Sequence, residues 1–252
     1  MRSNALLTGW LSVLFLFLLS TFVGAAQEVT IPTLQIGMGT TNDPAQVSIA
    51  IQVLLLLTVL ALAPSILILM TSFTRLVIVF HFLRQAVGTQ SMPPNQVLVG
   101  LSLFLTFFIM YPVFNQINQD AFQPYIAQEI GQEEAFTRAL DPLRQFMFKQ
   151  THEDDLAMFI SMAKVESPQT FADIPTHVLI PSFIISELKT AFQIGFLIYI
   201  PFLMLDMVVA SVLLSMGMMM LPPVMISLPF KLILFVMADG WRLMVGSLMQ
   251  SF

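Results

Sequence analysis

Four long apolar segments alternate with polar stretches along the chain. They lie at Val47–Met70, Gln96–Met110, Pro181–Leu214 and Pro222–Leu248. At a rise of about 1.5 Å per residue, a helix of about 20 residues crosses a hydrocarbon core of about 30 Å. The pattern predicts an all-α, polytopic membrane protein, with a first pair of apolar helices at residues 47–112 and a second pair at 181–252.

Prolines and glycines are predicted to interrupt these segments. Tyr111-Pro112 should end the second segment, and Gly195 and Pro201 should break the third, because a helix-interior proline removes a backbone hydrogen bond and clashes with the preceding turn. Interrupted helices that carry charge are tolerated in a membrane where they are buried in protein or line a water-filled path. We therefore expect the last two segments to face protein partners more than lipid.

Residues 1–26 have the layout of a cleavable secretory signal peptide. Arg2 precedes an apolar run from Leu11 to Leu19, and small residues follow up to Ala26. An uncleaved first membrane helix is the alternative, although the apolar run is short for a span. Residues 27–46 are polar and are predicted to form an extracytoplasmic leader.

The connection between the first two apolar segments, Thr71–Pro94, is basic. It contains Arg75, His81 and Arg84 and no acidic residue. Because Lys and Arg are concentrated in short cytoplasmic loops, this connection is predicted to be a cytoplasmic loop.

Residues 113–180 are strongly acidic, with ten acidic residues against four basic ones. Apolar residues recur at helical spacing from Phe136 to Phe146 and again from Leu156 to Ala163. These patterns predict an extracytoplasmic segment with two amphipathic helices, arranged as a hairpin. Thr151 and Asp154 have the spacing of a capping box at the start of the second helix. A hairpin this small must pack on another part of the chain or on another subunit.

Composition excludes several classes of function. The chain is 57% hydrophobic and 10% charged, has a mean hydropathy of +0.85, and contains no cysteine. Its net charge of −5 offers no basic surface for nucleic acid. Three histidines lie in three different segments, and there is no phosphate-binding glycine loop. We therefore predict no enzymatic activity, no catalytic residue, no metal and no cofactor.

A cluster of methionines stands between the last two apolar segments. Met218, Met219 and Met220 are followed closely by Pro222 and Pro223, so the cluster is predicted to be a loop. Long, unbranched thioether side chains from several subunits could close around a passing polypeptide without specific bonds. The alternative is that these methionines simply fill space between membrane helices, but consecutive residues in a turn cannot share one buried face.

Charged residues within the last two apolar segments require partners. Glu187 and Lys231 have opposite charges in apolar surroundings, and a buried charge without a partner is strongly unfavourable. We expect them to pair, within or between subunits, although such charges could also carry protons or ions. Asp206 has no base nearby in sequence, which makes it the better candidate for ion coupling, with a helix-contact role as the alternative.

Several blocks resemble the family of the flagellar biosynthetic protein FliP, over roughly the chain from Val47 to Phe252. The blocks are Phe73–Val79, Leu83-Arg84, Gly88–Gln90, Pro93–Leu98, Phe104–Phe108, Ser186–Phe196, Asp206, Ser215–Pro223, Leu228–Lys231 and Asp239–Trp241.

This resemblance implies a core subunit of the flagellar type III export gate. It implies a homo-oligomer, expected to be pentameric, that forms a helical ring with FliQ and FliR and works with other export-apparatus proteins on exported flagellar subunits. The location it implies is the bacterial inner membrane at the flagellar basal body, in contact with lipid, with much of the assembly on the periplasmic side.

The resemblance also implies roles for individual residues. Met218, Met219 and Met220 would form the gasket of the pore, Glu187 and Lys231 an inter-subunit ion pair, and Phe146 and Phe159 assembly contacts. The competing functions are a secondary transporter that uses Asp206 and an assembly scaffold without a pore.

Overall fold

A computed structural model describes residues 44–89, 91–164, 168, 170–218 and 220–252. The predicted signal peptide at 1–26 and most of the leader at 27–46 lie outside the described residues. The chain divides into two units, residues 1–53 and 54–252. All contacts discussed below lie within the second unit.

The described part of the chain is helical and contains no strand. The helices are α1 (Pro44–Leu69), α2 (Phe73–Val87), α3 (Asn95–Ile117), a π-helical turn (Asn118–Phe122), α4 (Gln123–Ile126), α5 (Gln132–Gln150), α6 (Glu153–Met162), a 3-10 turn (Phe171–Asp173), α7 (Thr176–Ser215), α8 (Pro223–Met237) and α9 (Gly240–Gln250). The predicted all-α class is confirmed.

Two continuous helical stretches, Asn95–Ile126 and Thr176–Ser215, are long and apolar enough to cross a membrane. A third candidate is the pair α8 and α9, whose axes differ by 64° at a short break. The described residues therefore offer two or three candidate spans. The 40 residues of α7 make a helix about 60 Å long, roughly twice the thickness of a hydrocarbon core.

The predicted interruptions at Pro112, Gly195 and Pro201 are wrong, because α3 and α7 run through these residues. Pro112 and Pro201 are exposed and each removes one backbone hydrogen bond. Long apolar helices in a membrane tolerate such prolines where neighbouring groups and small local adjustments satisfy the freed carbonyl. Gly195 is buried against Phe82 of α2: a Cβ atom at residue 195 would lie 2.6 Å from that ring. This glycine allows two helices to pack closely and does not break either of them.

The prediction of a loop at Thr71–Pro94 is also wrong for residues 73–87, which form α2. Leu76, Val79, Phe80 and Leu83 have the i, i+3, i+4, i+7 spacing of one helix face, and all four are buried. They form the centre of a core to which α3, α7, α8 and α9 contribute. Arg75 is buried as well, so the basic charge of this segment does not indicate a loop, and its cytoplasmic location stays a prediction.

A second core lies where α5 and α6 pack on α7. Leu143 and Met147 of α5 and Leu156 of α6 are buried there, whereas Phe136, on the predicted apolar face, is exposed. Each of the two helices has more contact with α7 than with the other. The amphipathic helices thus cover the N-terminal part of α7.

The predicted capping box at Thr151 is wrong. The Thr151 hydroxyl donates to the Met147 carbonyl, so it completes the last turn of α5, and α6 begins after it without a side-chain cap. A capping box does form further along the chain, where Thr170 and Asp173 bond reciprocally at the 3-10 turn.

Candidate pore loop and buried charge pairs

The methionine loop is a well-defined turn between α7 and α8. Gly217 has φ of +74°, a conformation that glycine adopts without the strain of a side chain. Its N–H donates to the Leu214 carbonyl at 3.0 Å, and the Met218 N–H donates to the Leu213 carbonyl at 3.0 Å. This is the Schellman pattern that ends a helix. Pro223 at the first position of α8 then starts the next helix.

The described methionine side chains of this turn are exposed. Met220 is 97% exposed and Met218 is 39% exposed, while Met219 lies outside the described residues. The loop is fixed at both ends by backbone structure, yet the Met220 side chain at its tip is almost fully exposed. The loop therefore combines a backbone held by hydrogen bonds with the flexible, exposed thioethers of Met218 and Met220.

Glu187 of α7 is fully buried and pairs with Arg75 of α2. The Nε of Arg75 donates to Oε2 of Glu187 at 2.9 Å, and its Nη2 donates to Oε1. Two parallel N–H donors on one carboxylate form the bidentate arrangement that is strongest for this pair of residues. Arg75 and not Lys231 therefore neutralises Glu187 within the chain.

Lys231 of α8 pairs with Asp206 of α7, the carboxylate that had no base nearby in sequence. Its Nζ lies 2.6 Å from Oδ2 of Asp206 and donates to the Ala86 carbonyl at 3.2 Å. The Ser227 hydroxyl donates to the other oxygen of Asp206. Because Ala86 is in the last turn of α2, the ammonium group also lies at the negative end of that helix.

The structure thus does not bring Glu187 and Lys231 together within one chain. Each has a different intrachain partner, because α2 lies beside α7 and supplies Arg75. The contact between subunits that the resemblance implies concerns a neighbouring copy, and it stays a prediction. Arg75 was missed because its segment was read as a loop. The helical spacing of its apolar neighbours was the signal that could have revealed it.

The two aromatic residues proposed for assembly differ in their surroundings. The ring of Phe146 in α5 packs edge-on against Phe183 at 6.0 Å between centroids and is stacked with Phe252 at 6.4 Å. Phe159 in α6 packs at the edge of the second core. Both rings are half-buried, so part of each remains accessible to another protein.

Metal-ligating side chains are dispersed in the described part of the chain. No group of three or more His, Asp or Glu residues there lies close enough to hold an ion. His152, for example, is occupied by contacts with α7: its backbone N–H donates to Ser186, and its ring lies 3.1 Å from the Thr190 hydroxyl.

Comparison with known proteins gives consistent matches. The sequence model of the FliP family matches residues 56–248. The chain is 60% identical over 217 residues to the flagellar biosynthetic protein FliP of Bacillus subtilis (strain 168), covering 86% of this chain and 98% of that protein. The FliP of Aquifex aeolicus (strain VF5) is 53% identical over 221 residues, covering 87% and 90% of the two chains. The FliP of Pectobacterium carotovorum is 54% identical over 205 residues, covering 81% and 80%.

Proposed function

Because the chain belongs to the FliP family, we propose that it is a core subunit of the flagellar type III protein export gate. Several copies, expected to be five, assemble with FliQ and FliR in the bacterial inner membrane at the flagellar basal body, with much of the assembly on the periplasmic side. Unfolded flagellar subunits pass through the central pore. Substrate selection and energy come from other export-apparatus proteins.

The exposed methionine loop is the observation that carries the pore proposal. The turn exposes Met216, Met218, Met220 and Leu221 together, and Met220 at its tip is 97% exposed. A cluster of exposed apolar side chains marks a surface that a partner or a membrane covers. Met218, Met219 and Met220 from several copies would cover one another around an axis. Their flexible thioethers would also yield to a passing chain of any sequence. In this way the loops form a gasket that limits leakage when the pore is idle.

Assembly is supported by the large apolar surface that the single chain leaves uncovered. Residues on α3, α7 and α8 that exceed half exposure include Phe104, Phe196, Met207 and Ile233. Lipid accounts for part of this surface, and neighbouring copies with FliQ and FliR account for the rest. Phe146 and Phe159 are proposed as contacts in the ring, and the inter-subunit pair of Glu187 and Lys231 is proposed to form when a neighbour becomes available.

No specific observation favours a secondary transporter. The carboxylate of Asp206 is bound by Lys231 and Ser227, so it is already engaged on both oxygens. A scaffold without a pore would need the same assembly surfaces as a pore subunit. Only a pore subunit would bring the methionine loop into contact with the exported chain. The test must therefore ask whether the loop touches the exported chain.

Photo-crosslinking during stalled export tests the pore directly. A photoreactive amino acid replaces Met220, and a flagellar subunit fused to a domain that cannot unfold is trapped during export. Met237, which is 82% exposed on α8 but outside the loop, serves as the control position. We expect crosslinks to the substrate from position 220 and none from position 237. An assembled, stalled complex that gives no substrate crosslink at position 220 would refute the gasket.

A further inference from the structure

Arg75 connects more of the molecule than its ion pair requires. A guanidinium group has five N–H donors, and the acceptors around Arg75 account for all five. Glu187 of α7 takes Nε and one donor of Nη2, and Gln150 of α5 accepts from Nη2 at 2.9 Å. The remaining donors, on Nη1, go to the backbone oxygen and hydroxyl of Ser251 at 2.9 and 3.1 Å. Arg75 therefore joins α2 to α5, to α7 and to the residues that follow α9.

Phe252 is bound beside Arg75 by contacts to both its ring and its backbone. The Cζ atom of Arg75 lies 3.9 Å from the centroid of the Phe252 ring, within cation–π distance. The ring of Phe146 is stacked with it, with 18° between the planes. Lys149 Nζ and Gln150 Nε2 donate to its backbone oxygen at 2.7 and 3.0 Å. Residues 251 and 252 are thus bound through both backbone and side chain.

The helix that precedes these residues is bent away from its neighbour. The axes of α8 and α9 differ by 64°, with Asp239 in a left-handed conformation at the break. If the segment from Pro223 to Gln250 were straight, it would be a helix about 42 Å long, which is sufficient to cross a bilayer. In the bent form Leu248 is buried in the first core.

At the break itself the Trp241 ring packs edge-on against Phe235, with 5.5 Å between the centroids, but the polar interactions there are weak. Asp239 and Arg242 are 3.9 Å apart and largely exposed, so their attraction is screened by solvent. Gly240 allows the close approach of the Phe235 ring but binds nothing. The strong polar contacts lie just after the far end of α9. There Arg75 donates to Ser251, and Lys149 and Gln150 of α5 donate to Phe252.

We propose that Arg75, Gln150, Ser251 and Phe252 form a latch that holds the end of α9 against α2, α5 and α7 and so keeps the α8–α9 pair bent. Arginine is required because lysine offers a point charge in place of a planar fork and cannot bind Glu187, Gln150 and Ser251 together. The latch depends only on contacts within one chain, so a test of the latch does not depend on whether the chain forms a pore.

Crosslinking within the chain tests the latch, and the absence of native cysteine makes every introduced thiol specific. Gln145 of α5 and Met249 of α9 line one open groove, so Gln145→Cys with Met249→Cys reports whether α9 is held. Gln116→Cys with Gln145→Cys joins α3 to α5, which line another shared groove, and serves as the control pair. A bifunctional maleimide is added to the full chain in detergent, and intrachain crosslinking is followed by gel mobility.

Arg75→Lys and Phe252→Ala are each compared with the unaltered background. We expect either change to slow the α5–α9 crosslink by about tenfold, because Arg75→Lys loses the planar fork and Phe252→Ala loses the cation–π contact and the stacked ring. The α3–α5 crosslink should stay unchanged. Phe252→Ala leaves the Arg75–Glu187 pair intact, so it keeps the test valid if Arg75→Lys fails to fold. An unchanged α5–α9 rate in Phe252→Ala, or an equal fall for both crosslinked pairs, overturns the latch.

Discussion

Removal of the Asp206 carboxylate should destabilise the protein, because Lys231 would then be buried without a counter-charge. Only 3% of the Lys231 side chain is exposed, and its Nζ lies 2.6 Å from Asp206. In Asp206→Ala the ammonium group would retain the Ala86 carbonyl at 3.2 Å and lose the charged partner that it has among the described residues. Asp206→Asn keeps an oxygen of the same size at the same place and should be milder.

The magnitude follows from burial. Breaking a buried ion pair by removing one partner costs about 3–5 kcal/mol. Asp206 is 19% exposed, so water can enter the vacated space, and the end of α2 still favours the cation. We therefore expect a loss near the lower limit, about 3 kcal/mol, for Asp206→Ala. For Asp206→Asn, whose single carbonyl oxygen can still accept from Lys231 while its amide nitrogen faces Ser227, we expect a loss of about 1–2 kcal/mol.

The double variant Asp206→Leu with Lys231→Met separates a pairing effect from simple loss of packing. Replacing both members of a buried pair with apolar side chains of similar volume is often neutral. We expect the double variant to lose no more than about 1 kcal/mol relative to the unaltered protein. This is far less than the losses expected for the single variants Asp206→Leu and Lys231→Met added together. Arg242→Ala is the control, since the exposed pair of Arg242 with Asp239 should contribute about 0.5 kcal/mol or less.

The measurement is the free energy of unfolding in mixed micelles, obtained by titration with SDS and followed by far-UV circular dichroism. Refolding of each variant must be shown to be reversible. Two results would refute the reasoning: a loss in the double variant equal to the losses in Asp206→Leu and Lys231→Met added together, or a loss in Asp206→Ala no larger than that in Arg242→Ala. Either would mean that Lys231 finds water or another partner once Asp206 is removed.

Two further predictions concern the loop and the close contact of α2 with α7. Replacing Met218, Met219 and Met220 together with Ala should leave assembly intact and raise ion leak through the assembled gate, measured as ion flux across the membrane; normal leak with normal secretion would contradict the gasket. Gly195→Ala should cost about 1–3 kcal/mol because its Cβ would press on the Phe82 ring. Gly246→Ala, where nothing lies within 4 Å, should be neutral or slightly stabilising in the same unfolding assay, and equal effects at the two glycines would contradict the packing argument.

The helical class and the turn of the methionine loop could be predicted from the sequence, because both depend on local chemistry. Apolar segments of this length form helices in lipid regardless of their neighbours. Gly217 followed by Pro222 and Pro223 marks a helix end and a helix start within a few residues. The structure confirms a turn there through backbone bonds that involve only nearby residues.

The buried charge pairs could not be predicted, because they depend on which helices lie side by side. Arg75 and Glu187 are 112 residues apart in sequence, and no local pattern fixes the packing of α2 on α7. Sequence reasoning considered only charges within the two last apolar segments, so it matched Glu187 with Lys231 and left Asp206 without a base. It also treated proline as a helix end, although an exposed proline in a long apolar helix is tolerated.

The two pairs lie at opposite ends of α2, and this placement explains what they add to the apolar packing. Arg75 in the first turn of α2 binds Glu187 of α7, while Lys231 joins the last turn of α2, at Ala86, to Asp206 further along α7. Leucine and valine faces can slide along each other with little change in contact area, but a bidentate ion pair and a bound ammonium group cannot. The pairs therefore fix the register of α2 along α7. Because α7 leads directly into the methionine loop, the same register sets where Met218 and Met220 stand relative to the core.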